Sequence, residues 1–194
     1  MVGMTRPGLW QDPGRLLTVD DLAELPPGDD RRYELDDGML VVSPSPVNIH
    51  QLVVTRLTLL LTAACPEHLA VLAGVGIKVT KFQYREPDVA VVPADAFNVD
   101  YIERPPALVV EVSSPSTRLY DRNRKKDVYE GFGIPAYWII EPDPDRPRLI
   151  AFELRDGKYQ TVADVSGSDE FCATLPFPVA IRPAVLTRTG PLTG

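Results

Sequence analysis

Pro87-Asp88-Val89-Ala90-Val91-Val92, Leu108-Val109-Val110-Glu111-Val112-Ser113 and Asp121-Arg122-Asn123-Arg124-Lys125 are the three runs whose reading decides the fold. The first two are Val-rich and of strand length, and each carries a single acid. The third is charged and helix-like. An acid inside a strand that is otherwise apolar is costly to bury unless it is paired, hydrogen-bonded or bound to a metal. Period-two alternation puts Val109, Glu111 and Ser113 on one side of their strand, and Asp88, Ala90 and Val92 on one side of theirs. If the two strands are neighbours, the carboxylates come within reach of one divalent cation. On the helix, Asp121, Lys125, Val128 or Tyr129, and Phe132 lie along one stripe. The aromatic members belong to the core, which draws Lys125 towards the sheet. Arg122, Arg124 and Lys126 fan over the other faces, as a phosphate-binding edge or as a solvated surface.

Outward from these runs, the chain has 194 residues, enough for one domain with a sizeable core. Hydrophobic residues make up 44% and charged residues 24%, ordinary for a globular protein. The formal net charge of -7 argues against a protein that coats nucleic acid or anionic membrane non-specifically. It leaves room for a local basic patch. Cys65 and Cys172 are far apart without metal-ligand spacing, and read as free buried thiols of a reducing compartment. No signal peptide is evident, and the longest apolar run, Leu57 to Cys65, is too short to span a bilayer. A cytoplasmic protein without a membrane segment is the expectation.

Residues 1–16 read as a loose arm, 17–186 as a single domain and 187–194 as a tail. Thr18-Val19-Asp20-Asp21 has the form of a capping box opening a short helix, stopped by Pro26-Pro27-Gly28. Tyr33 to Val42 reads as a β-hairpin turning at Asp37-Gly38. Ser45 and Pro46 mark the start of a long helix through Ile49, Leu52, Val53, Leu57, Leu60 and Ala64, ending at Pro66. Val71 to Thr80 reads as one strand weakened by Gly74 and Gly76. After the second acid-bearing strand, a helix is expected from Asp121 to Phe132, closed by Gly133 in the left-handed conformation. Ala136 to Ile140 is another strand, Arg148–Leu154 and Lys158–Ala163 a hairpin across Asp156-Gly157, and Phe177 to Ile181 a final strand. The sum is an α/β or α+β chain with a central mixed sheet flanked by a few helices, an N-terminal hairpin and C-terminal strands.

Two acids holding Mg²⁺ or Mn²⁺ beside an ammonium group suit phosphodiester hydrolysis, because the cation lowers the pKa of water and neutralises charge on the phosphate. At this point a resemblance enters. Tyr33-Glu34-Leu35…Gly38, Ser43-Pro44…His50, Pro87-Asp88-Val89, Glu111-Val112-Ser113-Ser114-Pro115-Ser116-Thr117, Asp121…Lys125…Tyr129 and Gly133-Ile134…Tyr137-Trp138-Ile139…Pro142 together resemble the bacterial restriction endonuclease family known as Uma-type. That family belongs to the PD-(D/E)XK nuclease superfamily. The resemblance runs in order from about Leu17 to Val162. It implies a restriction-endonuclease-like fold, a Mg²⁺-dependent active site and DNA as substrate, with RNA not excluded. Carried over by position, Asp88 and Glu111 are metal ligands and the Val112 carbonyl a third. Glu34 is an accessory acid and Lys125 the catalytic lysine. The superfamily pattern places lysine two residues after the second acid, where this chain has Ser113. The resembled family shows the same gap and takes its lysine from the helix.

Other readings stand beside these. Asp88 could simply open a strand, Lys125 could pair with Asp121, and Glu34 could be an outward hairpin acid. His50 is either a structural histidine or a general base or substrate contact, and Tyr129 and Trp138 are core residues. At the level of function, the alternatives are a catalytically inactive nuclease fold kept for nucleic-acid binding or assembly, and a paired-carboxylate glycoside hydrolase. Exposed sheet edges favour a homodimer.

Overall fold

The computed structural model describes residues 14–25, 31–96 and 100–190. The outer part of the expected N-terminal arm, the Pro26-Pro27-Gly28 stop and the end of the tail lie outside them. The described residues fall into two compact units, those within 1–45 and 78–86, and those within 46–77 and 87–194.

In the larger unit a six-stranded sheet has the order β10-β9-β8-β7-β6-β3. Its strands are β3 (Leu69–Ala73), β6 (Val89–Pro93), β7 (Leu108–Val112), β8 (Ala136–Glu141), β9 (Arg148–Arg155) and β10 (Lys158–Ser166). The two runs that carry the acids are neighbours at the centre, paired antiparallel. β7 and β8 are parallel, and the remaining pairs antiparallel, so the sheet is mixed. Parallel strands cannot be joined by a hairpin and need a crossover, usually helical. Here the crossover is α3 (Arg118–Tyr120), a π-helical turn (Asp121–Lys125) and α4 (Lys126–Phe132).

Every residue of β7 and β8 is buried, as expected for central strands covered on both faces. On one face Val89, Val91, Leu108, Val110, Val112, Trp138 and Ile140 form a core with Val53, Leu57 and Leu61 of α2 (Asn48–Ala64). Each fully buried leucine there is worth about 1.5–3 kcal/mol of transfer free energy. The opposite face carries Tyr137, whose ring meets Tyr129 of α4 edge-on at 5.2 Å. β11 (Phe171–Ala173) and β12 (Val179–Ile181) make a small ribbon, and α5 (Pro183–Thr187) follows.

In the smaller unit, β1 (Arg32–Asp36) and β2 (Met39–Ser43) pair across Asp37-Gly38. Both turn residues have positive φ, 51° and 81°, the signature of a primed hairpin turn. β5 (Gln83–Arg85) and β4 (Ile77–Thr80) complete a sheet in the order β2-β1-β5-β4. α1 (Val19–Leu22) begins with the expected capping box: the Thr18 amide and hydroxyl both donate to Asp21 Oδ2, at 2.7 and 2.8 Å.

Several local expectations are corrected. The strand read from Val71 to Thr80 is two strands, β3 and β4, because the chain turns at Gly74, whose φ is +61°. α2 starts at Asn48 behind Val47, with no side-chain cap, rather than at Ser45-Pro46. The crossover helix begins at Arg118, three residues before Asp121, and its charged run is π-helical. Gly133 does close it in the left-handed conformation, at φ 84°. Both cysteines are free, yet Cys172 is exposed and Cys65 only half-buried, so neither is the buried thiol expected. Among the described residues no helix is long and apolar enough to cross a membrane.

Candidate active site

The register of β6 and β7 pairs Val89 with Val110 and Ala90 with Val109. Asp88 directly precedes Val89 and Glu111 directly follows Val110, so continuing that register would set the two acids opposite each other. Directly opposed residues of an antiparallel pair have Cβ atoms roughly 4.5–5.5 Å apart on a common face. Both carboxylates are buried. The Asp88 backbone is held as well, since its carbonyl accepts the Gly74 N–H at 3.1 Å.

Each acid has named partners. Asp88 Oδ2 accepts the Val112 N–H at 2.7 Å and lies 3.1 Å from His50 Nε2. His50 stands in the first turn of α2, and with Nε2 carrying the proton it donates to the carboxylate. Its Nδ1 is buried without a hydrogen-bond partner among the described residues. Glu111 Oε1 accepts the Tyr129 hydroxyl at 2.6 Å and lies 3.0 Å from Lys125 Nζ. Lys125 is only 8% exposed, although it stands in a run of charged residues.

The helix aims Lys125 through a second set of bonds. Asp121 Oδ1 is 3.8 Å from Lys125 Nζ, while its Oδ2 accepts the Ser113 hydroxyl at 2.7 Å. Tyr137 donates its hydroxyl to the Asp121 carbonyl at 3.0 Å, giving that carbonyl a partner outside the helix ladder. Burial, then the nearby charges of Glu111 and Asp121, push the Tyr137 hydroxyl well above its ordinary pKa, so it stays a donor. The π-helical turn coincides with the stretch that delivers Asp121 and Lys125, and such turns are frequent at functional sites. Ser113, at the position where the superfamily pattern has lysine, thus helps seat the helix that supplies the ammonium group.

Of the residues singled out in the sequence, the structure brings together Asp88, Glu111, Lys125, His50 and Val112, the last through its N–H. Glu34 belongs to the smaller unit, where its Oε1 accepts the Glu86 N–H at 2.9 Å and its Oε2 is 3.8 Å from Arg85. The basic trio separates: Arg122 bonds Glu141, Lys126 lies over the Phe152 ring at 4.6 Å, and Arg124 is half-buried. The sequence reading did not find the Tyr129 hydroxyl, the Ser113–Asp121 bond, or Glu141, a buried acid closing β8. Glu141 had a signal, as an acid on the end of an apolar strand.

Two buried carboxylates, hard oxygen donors on adjacent strands, suit Mg²⁺ or Mn²⁺. Such a cation takes one or two protein carboxylates and keeps several waters. Among the described residues no group of three or more His, Cys, Asp or Glu side chains is arranged to hold a metal ion.

The family model described as "Putative restriction endonuclease" (Uma2) matches residues 19–187. The chain belongs to this family. The crystal structure of a protein from Anabaena variabilis ATCC 29413, described as a "putative nuclease belonging to DUF820", is similar with a TM-score of 0.65. The likeness covers 82% of this chain and 89% of that one at 14% identity, a likeness of fold. No curated protein matches the chain. Family and neighbour agree with a restriction-endonuclease-like nuclease fold, a central mixed sheet with flanking helices.

Proposed function

We propose that this chain is a metal-dependent endonuclease that hydrolyses phosphodiester bonds of DNA. The observation that supports it is the buried Lys125–Glu111 contact beside Asp88, an ammonium group held against one of two adjacent acids. Asp88 and Glu111 would hold Mg²⁺ or Mn²⁺, which supplies charge neutralisation at the phosphate and acidifies water. The Val112 carbonyl is a further candidate ligand.

The chain's own residues do the rest. Lys125 orients water or donates to the phosphate oxygens as charge builds in the transition state. Asp121, with Ser113 behind it, and Tyr129 hold Lys125 and Glu111 in place. His50, which shares Asp88 Oδ2 with the Val112 N–H, fixes that carboxylate or takes a proton as general base. Glu34 is assigned as the accessory acid through the family pattern alone.

The test is nicking of supercoiled and single-stranded DNA with Mg²⁺ or Mn²⁺, with RNA of the same sequence in parallel. Activity that disappears in Asp88→Ala and Glu111→Ala, with both variants still folded at the assay temperature, supports the proposal. Wild-type protein that cleaves no substrate and takes up no Mn²⁺ in a titration overturns it.

A second reading has its own observation. Glu111 Oε1 already accepts Tyr129 and pairs with Lys125, as in a self-satisfied network that needs no cation. An inactive nucleic-acid-binding or assembly module would bind DNA unchanged after Asp88→Ala and Glu111→Ala. We propose a homodimer for either form, checked by light scattering.

A further inference from the structure

Glu141 is the last residue of β8, and it is buried. The β7–β8 register pairs Glu111 with Ile139, so Glu141 projects from the same face as Glu111, one strand over and two residues on. Strand spacing and rise put the two Cα atoms about 8 Å apart. Three guanidinium groups converge on this acid. Arg122 bonds Oε1, Arg118 Nε lies 3.4 Å from the same oxygen, and Arg148 Nη1 lies 4.0 Å from Oε2.

Arg148 is already committed. Its Nε and Nη2 form a fork on Asp164 at 2.6 and 2.5 Å, and that bonding raises its pKa. Arg118 and Arg122 are different. They share one carboxylate oxygen, and the Nε of each is buried without a hydrogen-bond partner among the described residues. A guanidinium carries five N–H donors in a planar fork suited to phosphate. The side chains of Arg118 and Arg122 are 42% and 31% exposed, so they also reach solvent. The other acid that senses Arg118 is Asp143, which is exposed and accepts the amides of Asp145 and Arg146. Glu141 accepts a hydrogen bond from Arg122 and holds Arg118 at ion-pair distance, so its single charge faces two guanidinium groups that keep N–H donors to spare.

We propose that Arg118 and Arg122, held by Glu141, bind a phosphate neighbouring the one hydrolysed on a nucleic-acid strand. The inference rests on the nuclease reading. It makes the substrate an oligonucleotide instead of an isolated phosphodiester, and it makes Glu141 a positioning residue. It also moves the basic subsite from Arg122, Arg124 and Lys126 to Arg118 and Arg122.

The experiment titrates a fluorescein-labelled single-stranded 12-mer in EDTA, where metal-dependent cleavage cannot run, across a range of salt concentrations. Wild-type protein is compared with the Arg118→Ala/Arg122→Ala double variant and with Glu141→Gln, each checked for an unchanged melt. The Arg118→Lys/Arg122→Lys variant keeps the charge without the fork. The alanine variant is expected to bind at least tenfold more weakly, with a salt slope lower by about 0.7, the value for one phosphate contact on a single strand. Glu141→Gln weakens binding several-fold, and the lysine variant falls between wild type and the alanine variant. With Mg²⁺, a methylphosphonate beside the scissile bond slows wild-type cleavage tenfold and leaves the alanine variant unaffected. Binding and slope unchanged in the alanine variant, or no binding by wild type, overturns the proposal. Binding that falls as expected while wild type cleaves nothing supports the subsite and defeats the hydrolase reading.

Discussion

Lys125 Nζ stands 3.0 Å from Glu111 Oε1, with both side chains buried. Removing one partner of a buried pair leaves the other charge uncompensated, which costs about 3–5 kcal/mol. Lys125→Met is therefore expected to lower the melting temperature by about 6–20 °C, at roughly 2–4 °C per kcal/mol for a chain of this size. It should also slow DNA nicking about 10²–10³-fold, the usual loss of one preorganised donor. Combining it with Glu111→Gln removes the stranded charge. The double variant should regain most of the melting temperature and stay inactive. If it melts as low as Lys125→Met, the pair is not the source of the cost.

Tyr129→Phe tests the second donor to Glu111. The hydroxyl bond at 2.6 Å goes to a buried carboxylate, and hydrogen bonds to charged groups contribute about 1.5–3 kcal/mol. The ring keeps its edge contact with Tyr137, so packing is preserved. Urea unfolding should show a loss of that size with an unchanged slope. Mn²⁺ affinity should fall as well, because Glu111 loses its orientation; an unchanged affinity would separate Tyr129 from the site.

Glu130 gives a pH-dependent prediction. The Lys158 ammonium group, with the Tyr159 N–H, holds its carboxyl below the ordinary value of 4.5. A depressed folded-state pKa contributes stability that is present above the unfolded value and lost as pH falls through the folded one. The wild-type advantage over Glu130→Gln should be full at pH 7 and shrink below pH 4.5. Urea midpoints at pH 7 and pH 3 measure it. Asp21 and Asp164 titrate in the same direction in both proteins, so the difference isolates Glu130.

Gly38→Ala tests the hairpin turn. A Cβ there would sit 2.8 Å from Leu16 Cβ and 3.2 Å from the Leu17 carbonyl oxygen, at a φ of +81°. Gly157 has a similar φ of +75° with nothing within 4 Å of a new Cβ. Gly157→Ala should cost about 1–2 kcal/mol of left-handed strain alone, and Gly38→Ala more. Thermal melts of both decide it; equal costs would mean that Leu16 moves aside freely.

Much of this was legible along the chain because it depends on near neighbours. Val-rich runs choose strands by their own side-chain shape, Asp-Gly pairs adopt positive φ by themselves, and Gly133 ends a helix wherever it falls. Those local facts fix the central strands, both hairpins, the candidate acids Asp88 and Glu111 and the candidate lysine Lys125. The break at Gly74 and the late start of α2 were missed because loops answer to what packs beside them.

Tertiary structure alone decided which charges meet. The parallel pairing of β7 and β8 obliges the chain to cross over, and that crossover lays one helical stretch on the face bearing Glu111 and Glu141. So Lys125 and Tyr129 reach Glu111, Asp121 reaches Ser113, and Arg118 and Arg122 reach Glu141, while Arg124 and Lys126 go elsewhere. Charged side chains carry no periodic signal for their partners. Only burial, by removing water, forces each to find one.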